Sequence, residues 1–413
     1  MTTRIFGSGI RRREDPRLIT GQASYTDDIK LTGLAHAAIL RSPHAHARIR
    51  SIDTSKARIS PGVVAVYTAA DTQGVLNPIP CAWIPPNSDV KAVPYPAIAK
   101  DVVRYVGDAV AVVVAENRYQ AEDALELINV DYEPLPVVIN PEAALQPGAP
   151  QLHADAPNNQ AFHWVAKGGD TDAAFASAAV NGVVVRDTII QQKLIPNAVE
   201  PRSAIASWQS AMRELTLWNS TQAPHIVRFV TSLVTGVPEH KIRVIAPEVG
   251  GGFGAKIAVY PWEMIAVFCS MKLGRPVKWT ETRSENYVAS THVRDHVQHV
   301  EMSATRDGKI TGVRSVVYAG MGAYLSSAAP GIPTILHGLM YCGPYEIPNA
   351  KADVYGCFTN TTPVEAYRGA GRPEATFLLE RMVDLLAVEL KMDPVEIRRR
   401  NLIPKFENGH DIV

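Results

Sequence analysis

The segment Pro247-Glu248-Val249-Gly250-Gly251-Gly252-Phe253-Gly254-Ala255-Lys256 constrains this chain more than any other. It sets four glycines within five residues, directly after the apolar run Ile242 to Ala246. Without Cβ atoms, backbone can take positive φ and approach another group closely. Successive N–H groups in such a loop converge into a concavity suited to anions and oxyanions. Phe253, bulky among glycines, is expected to wall that concavity. The plain alternative is a flexible connection between a strand and a helix. Two familiar phosphate loops fail on spacing. A P-loop needs Ser or Thr after its lysine, and here Ile257 follows Lys256. The dinucleotide pattern G-x-G-x-x-G fails because Ala255 occupies its last position.

Two further loops have a similar character. Thr221-Gln222-Ala223-Pro224-His225 lies between a strand pattern and a helix pattern, so Gln222 could aim its amide at an anion near a helix N-terminus. Ala366-Tyr367-Arg368-Gly369-Ala370-Gly371-Arg372-Pro373-Glu374 again precedes a helix pattern and carries guanidinium groups suited to phosphate or oxo groups. Each taken alone is also a polar turn or a solvated surface loop. Three such loops at helix N-termini predict one shared anionic ligand.

The rest of the chain narrows the class. A length of 413 residues exceeds one hydrophobic core and predicts two or three domains. The 41 basic residues balance 41 acidic ones, which argues against a nucleic-acid partner. Cys81, Cys269, Cys342 and Cys357 form no C-x-x-C pair, so the chain has no iron–sulfur or zinc signature of its own and fits a reducing compartment. The N-terminus lacks an apolar h-region, and no run of about 18 apolar residues occurs. The expectation is a cytoplasmic protein without a membrane span.

Along the chain, residues 1–16 read as an irregular arm. Residues 17–136 mix short strands (33–40, 45–52, 63–67, 102–105, 109–115, 128–132) with a helix over 118–127, the pattern of an α+β module. Residues 137–160, rich in Pro, Ala and Asn, read as a linker crossing a surface. A larger module covers 161–413. Strands are expected over 180–192 and 214–218, helices over 223–234, 262–273 and 374–390, and a hairpin of strands 293–304 and 310–319 around Asp307-Gly308. Asp393-Pro394-Val395-Glu396 is expected to open the last helix as a capping box. His292, His296 and His299 lie on a strand-like pattern that spaces them poorly for a metal, and His44 and His46 read as polar strand residues.

Taken together, the three loops resemble the molybdenum-binding subunit of the xanthine oxidase family, which includes aldehyde oxidases, bacterial carbon monoxide dehydrogenase and N-heterocycle hydroxylases. The likeness covers almost the whole length. Arg17-Leu18-Ile19-Thr20-Gly21 through Tyr25-Thr26-Asp27-Asp28, Leu40-Arg41-Ser42-Pro43-His44-Ala45-His46-Ala47 and Val106-Gly107-Asp108-Ala109-Val110-Ala111 are similar to motifs of the family's α/β hammerhead domain. Residues beyond about 160 resemble the first of two molybdopterin-binding domains. The resemblance implies a molybdopterin cofactor with molybdenum, in its cytosine dinucleotide form. Gln222 would donate to an oxo group of the metal. Phe253, with the backbone of Gly251, Gly252 and Gly254, would pack against metal and pterin, and Arg368 with Gly369 would flank the metal's other side. No direct protein ligand to the metal is implied.

The implied reaction is hydroxylation with water-derived oxygen. Electrons would leave through a ferredoxin-like 2Fe-2S subunit and an FAD-binding subunit, since this chain carries neither motif. Family members of roughly twice this length add a second molybdopterin domain bearing the general-base glutamate. The resemblance therefore implies a separate chain for that half, or a truncated product, and leaves the base unnamed here. Ile257 and Leu336 stand where purine hydroxylases place Glu and Arg, and Ala370 where they stack an aromatic ring. Gly369 replaces the cysteine of carbon monoxide dehydrogenases, which removes a soft copper ligand. An aldehyde or N-heteroaromatic substrate fits this roomier pocket. A non-catalytic cofactor-binding or assembly module is the alternative, and a nucleotide-phosphate enzyme is weakened by the failed P-loop spacing.

Overall fold

The computed structural model describes residues 6–404. The last nine residues of the module expected over 161–413, and the first five of the arm expected over 1–16, lie outside the described residues. The run Ala109–Ala115 (AVAVVVA) is buried at all seven positions, as expected of a β-branched strand covered on both faces. It pairs antiparallel with Ala35–Arg41 on one side and Val63–Thr68 on the other. Ala35–Arg41 then pairs in parallel with Val277–Thr280, with Ala35 opposite Val277 and Ala37 opposite Trp279. Ser203–Gln209, Glu214–Asn219 and Ile242–Ile245 complete a seven-stranded sheet. Strands from the first 115 residues and from 203–280 thus share one hydrogen-bonded layer.

Helix Pro261–Leu273 seals one face of that sheet, packing on Ser203–Gln209 and Val277–Thr280. Every residue from Pro261 to Ser270 is buried, so an all-round apolar sequence becomes a central helix. Gly274 ends it in the left-handed conformation that suits glycine. Helix Arg118–Leu125 covers Ala35–Arg41 and Ala109–Ala115, through a cluster that includes Ala38, Val113, Ala121 and Ala124.

A five-stranded sheet runs Gln160–Gly168, Ala350–Phe358, Ile310–Gly322, His296–Thr305, Gly182–Gln191. Its central hairpin turns at Asp307-Gly308, where Gly308 has φ +88° and donates to Thr305 O at 3.0 Å. Helix Arg372–Leu390 packs on Gly182–Gln191 and His296–Thr305 through Leu378, Leu379, Met382, Val383 and Leu386. A smaller sheet joins Val102–Val103, Ala47–Asp53 and Asn129–Pro134.

Three expectations need correction. The 137–160 segment is no mere surface crossing, since Val138, Ala144, Leu152 and Ala156 are buried in the main core. Asn159 holds it, donating to Ala144 O and Pro150 O and accepting from Leu152 N–H. The strand expected from residue 180 begins at Gly182, because alanine-rich Thr171–Asn181 is a helix capped by Asp170. The strand expected over 102–105 shrinks to two residues. At the last helix, Pro394–Asn401, Asp393 accepts from the N–H groups of Val395 and Glu396.

Candidate functional site

The three sequence loops meet. Gln222 lies just before helix Pro224–Thr235, and its Oε1 accepts from the Gly254 N–H at 2.8 Å. Its main-chain N–H donates to Lys256 O at 2.9 Å, and Thr221 Oγ1 donates to the same carbonyl at 3.0 Å. Arg368 N–H donates to Phe253 O at 2.9 Å. One short stretch, Phe253 to Lys256, therefore receives or supplies bonds to both partner loops. With its carbonyl oxygen engaged, the exposed Gln222 side chain keeps its NH2 as a donor.

Close approach explains the glycines. A Cβ on Gly252 would lie 2.3 Å from Gln222 Oε1. One on Gly254, whose φ is +110°, would lie 2.1 Å from Ala366 O, a backbone atom that cannot swing aside. Phe253 itself sits at φ 55° and stays 43% exposed, although it is a large apolar ring. For a bulky residue this is a strained conformation, held by the bonds on either side.

The third loop is pinned from beneath. Arg294 pairs with Glu374 at 2.8 Å and reaches Arg368 O at 3.5 Å, with its guanidinium 5.2 Å from the Tyr367 ring centre. Glu365 is buried, and burial raises the pKa of its carboxyl against the donors that surround it. Ser326 Oγ and Ala328 N–H occupy its Oε2, and Ala366 N–H its Oε1. Glu365 thus fixes the loop and offers no free oxygen as a base. Arg368 and Gly369 remain exposed.

Helix N-termini meet only part of the expectation. Gln222 and the 366–371 loop do precede helices, with Gly371 as N-cap of Arg372–Leu390. The glycine loop does not. It closes in two turns, Ala255 N–H to Gly252 O at 3.0 Å and Ile257 N–H to Gly254 O at 2.9 Å, before the next helix starts at Pro261. Its donors are therefore isolated turn amides and carry no helix dipole.

Of the three pocket positions, Leu336 and Ala370 come together. The wide π-turn Ile332–Leu336 brings the Leu336 backbone within 2.9 Å of where a Gly371 Cβ would stand, next to Ala370 at φ 39°. Ile257 belongs instead to the turn that closes the glycine loop. All three are half-buried. The histidines take separate roles. His292 Nε2 bonds Tyr287 O and His299 Nε2 faces Glu142, while His296 is buried beside Gln298. His46 is anchored to Pro136 O, and His44 packs on Tyr132.

Sequence reading missed the charged groups that hold the loops. Arg202 pairs with buried Glu263 and donates to Ala255 O at 2.8 Å, a carbonyl that also accepts from Tyr260 OH at 2.7 Å. Lys256 pairs with Glu200 at 2.7 Å. Burial pushes the Lys256 ammonium below its usual range, and Glu200 opposes that shift. The available signal was Lys256 closing the glycine segment and Glu200 and Arg202 two residues apart.

Comparison with known proteins fits this geometry. Residues 152–402 match the molybdopterin cofactor-binding domain, and residues 20–136 match the aldehyde oxidase and xanthine dehydrogenase a/b hammerhead domain. The chain belongs to the xanthine oxidase family. It is 41% identical to the carbon monoxide dehydrogenase large chain of Afipia carboxidovorans, covering 97% of this chain and 50% of that one. The quinoline 2-oxidoreductase of Pseudomonas putida 86 matches with TM-score 0.91 and 35% identity, over 96% of this chain and 50% of its own. The nicotinate dehydrogenase large molybdopterin subunit of Eubacterium barkeri is 32% identical over 96% of this chain and 89% of its length. The chain thus spans about half the length of the first curated relatives it matches, and nearly all of one shorter relative. Among the described residues no helix is long and apolar enough to cross a membrane.

Proposed function

We propose that this family member is the cofactor-holding chain of a molybdenum hydroxylase that oxidises an aldehyde or an N-heteroaromatic substrate. The observation that carries the reading is the junction of Gln222 Oε1 with Gly254 N–H and of Arg368 N–H with Phe253 O. It supports one anion-receiving cleft formed by three loops. The residues present suit a molybdopterin cofactor, for which the family resemblance suggests the cytosine dinucleotide form. Glycine at 252 and 254 lets the loop close against Gln222 and the Ala366 backbone, the Gln222 amide offers a donor, and the exposed Phe253, Arg368 and Gly369 border the site. When bound, the molybdenum group would supply the oxygen-transfer and electron-accepting chemistry.

The chain's own residues do the positioning. Gln222, tied by its carbonyl, can hold its NH2 toward an oxo acceptor without reorganisation. Phe253 would exclude water on one side, and the half-buried Ile257, Leu336 and Ala370 would border an uncharged substrate pocket. Gly369 offers no soft ligand for copper, which disfavours carbon monoxide as substrate despite the likeness to that relative's chain. Glu365 is committed to structure, and the general base would lie on a second molybdopterin domain outside these 413 residues. The near-equal length of the nicotinate dehydrogenase subunit supports such a division. A 2Fe-2S subunit and an FAD subunit would carry electrons away, in the cytoplasm.

Metal analysis and pterin fluorescence on the complex purified from its native host provide the test. Molybdenum and pterin near one per chain are expected, and absence of both would remove the proposal.

A further inference from the structure

We infer that Glu200 is the positioning residue that preforms the glycine cradle, an inference that rests on the cofactor-holding role proposed for the loops. Three donors from separate places converge on a single oxygen, Glu200 Oε2. They are Gly250 N–H at 2.7 Å, Lys256 Nζ at 2.7 Å and Ser220 Oγ at 2.8 Å. Gly250 and Lys256 are the two ends of the cradle, and Ser220 stands two residues before Gln222. The clamp is reciprocal, since Glu200 N–H donates back to Gly250 O at 3.1 Å. A Cβ on Gly250 would lie 2.5 Å from Glu200 Cβ, so backbone and clamp are in direct contact.

Charge makes this clamp stronger than a neutral one, because bonds to an ionised carboxylate are roughly twice as strong as neutral bonds. Lys256 is the counter-charge, with its side chain almost wholly buried. The other oxygen, Glu200 Oε1, is buried without a hydrogen-bond partner. Closing an open glycine-rich loop costs conformational entropy, most of all at glycine. Glu200 lowers that cost before any ligand arrives, by fixing both loop ends and the approach to Gln222 with one side chain. It touches no reacting atom in this arrangement and acts through the loop.

The test compares Glu200→Ala and Glu200→Gln with the wild-type chain by hydrogen–deuterium exchange, alongside molybdenum and pterin content and thermal melting. In Glu200→Ala, peptides covering 247–258 and 219–224 should exchange about tenfold faster or more, the scale of losing a charge-assisted bond. Strand Ser203–Gln209 should keep its wild-type protection. Bound molybdenum should fall to about a tenth of wild type or lower by the same coupling. Glu200→Gln keeps an acceptor for Gly250 N–H but not the charge facing Lys256, and should lie between. Wild-type exchange in the loop, or equal acceleration across all strands, would overturn the inference. If Glu200→Ala fails to fold, Glu200→Gln decides by the same criterion of local against uniform acceleration. If the wild-type complex holds neither molybdenum nor pterin, the cofactor reading falls, while loop exchange still judges Glu200.

Discussion

Two surfaces of this molecule differ in a way that separates apparent from proposed chemistry. The exposed face of the five-stranded sheet encloses about 780 Å³ and is lined by Arg186, Asp187, His299, Glu301, Arg314 and Asp353. The cradle formed by Gln222, Gly252, Phe253, Gly254 and Arg368 carries few ionisable groups. On the sheet, charges are spent on one another. Arg186 and Arg314 both pair with Glu301, Arg381 with Asp187, and His163 with Asp353. In the cradle, the loop amides close turns and tie the three loops together, while the charges Glu200, Lys256, Arg202 and Glu263 secure the loop's ends and its Ala255 carbonyl. Roominess and charge density therefore point to the sheet, whereas the meeting of three loops around one side-chain amide with exposed Phe253 and Arg368 points to the cradle.

The largest expected effect breaks the cradle without breaking the fold. In Gly252→Val, the new Cβ would lie 2.3–2.8 Å from Gln222 Oε1, Cδ and Cγ, so the exposed Gln222 side chain must release Gly254 N–H and rotate away. Gln222 can swing out, so the unfolding free energy should change by no more than about 1–2 kcal/mol. Cofactor retention should be abolished. Full molybdenum occupancy in this variant, measured on purified complex, would contradict the placement of the loop.

A middle-sized effect sharpens the contrast at the layer beneath Arg368. His296 and His337 are both buried near Gln298, and burial lowers their pKa values to about 4 and about 3. The unfolded chain binds these protons first as pH falls below 6.5, so folding stability should drop as pH decreases from 6.5 toward 4. The loss should be on the order of 2 kcal/mol per histidine at about pH 5. The difference in urea midpoint between wild type and His296→Gln/His337→Gln should change across this window. A difference independent of pH would refute the assignment.

The smallest effect belongs to the sheet face. Arg186 is exposed, and its pairing with Glu301 is screened by water. Arg186→Ala should cost less than about 1 kcal/mol and leave molybdenum content unchanged. A loss of cofactor in that variant would erase the distinction between the two surfaces.

Much of the cradle was legible in the chain because glycine reports backbone geometry locally. The requirement at Gly252 and Gly254 for absent Cβ atoms leaves a visible mark within five residues. The helices over 224–235, 261–273 and 372–390 were legible for a related reason, since apolar spacing and flanking Pro or Gly act within a few turns. Strands Ser203–Gln209 and Val277–Thr280 were not. They are short, and only their seats between Glu214–Asn219 and Ala35–Arg41 give them order. Helix Thr171–Asn181 escaped because alanine carries little apolar contrast between its faces.

By itself, the sequence determined which backbone stretches could approach a ligand, because conformational freedom and the loss of Cβ are properties of single residues. Tertiary structure alone decided that these stretches meet, that the glycine loop ends in turns instead of a helix, and that Glu200 binds both its ends. Those outcomes depend on contacts between residues as far apart as Gln222 and Gly254, or Glu200 and Lys256, whose bonds form only once the sheet has set the distance between them.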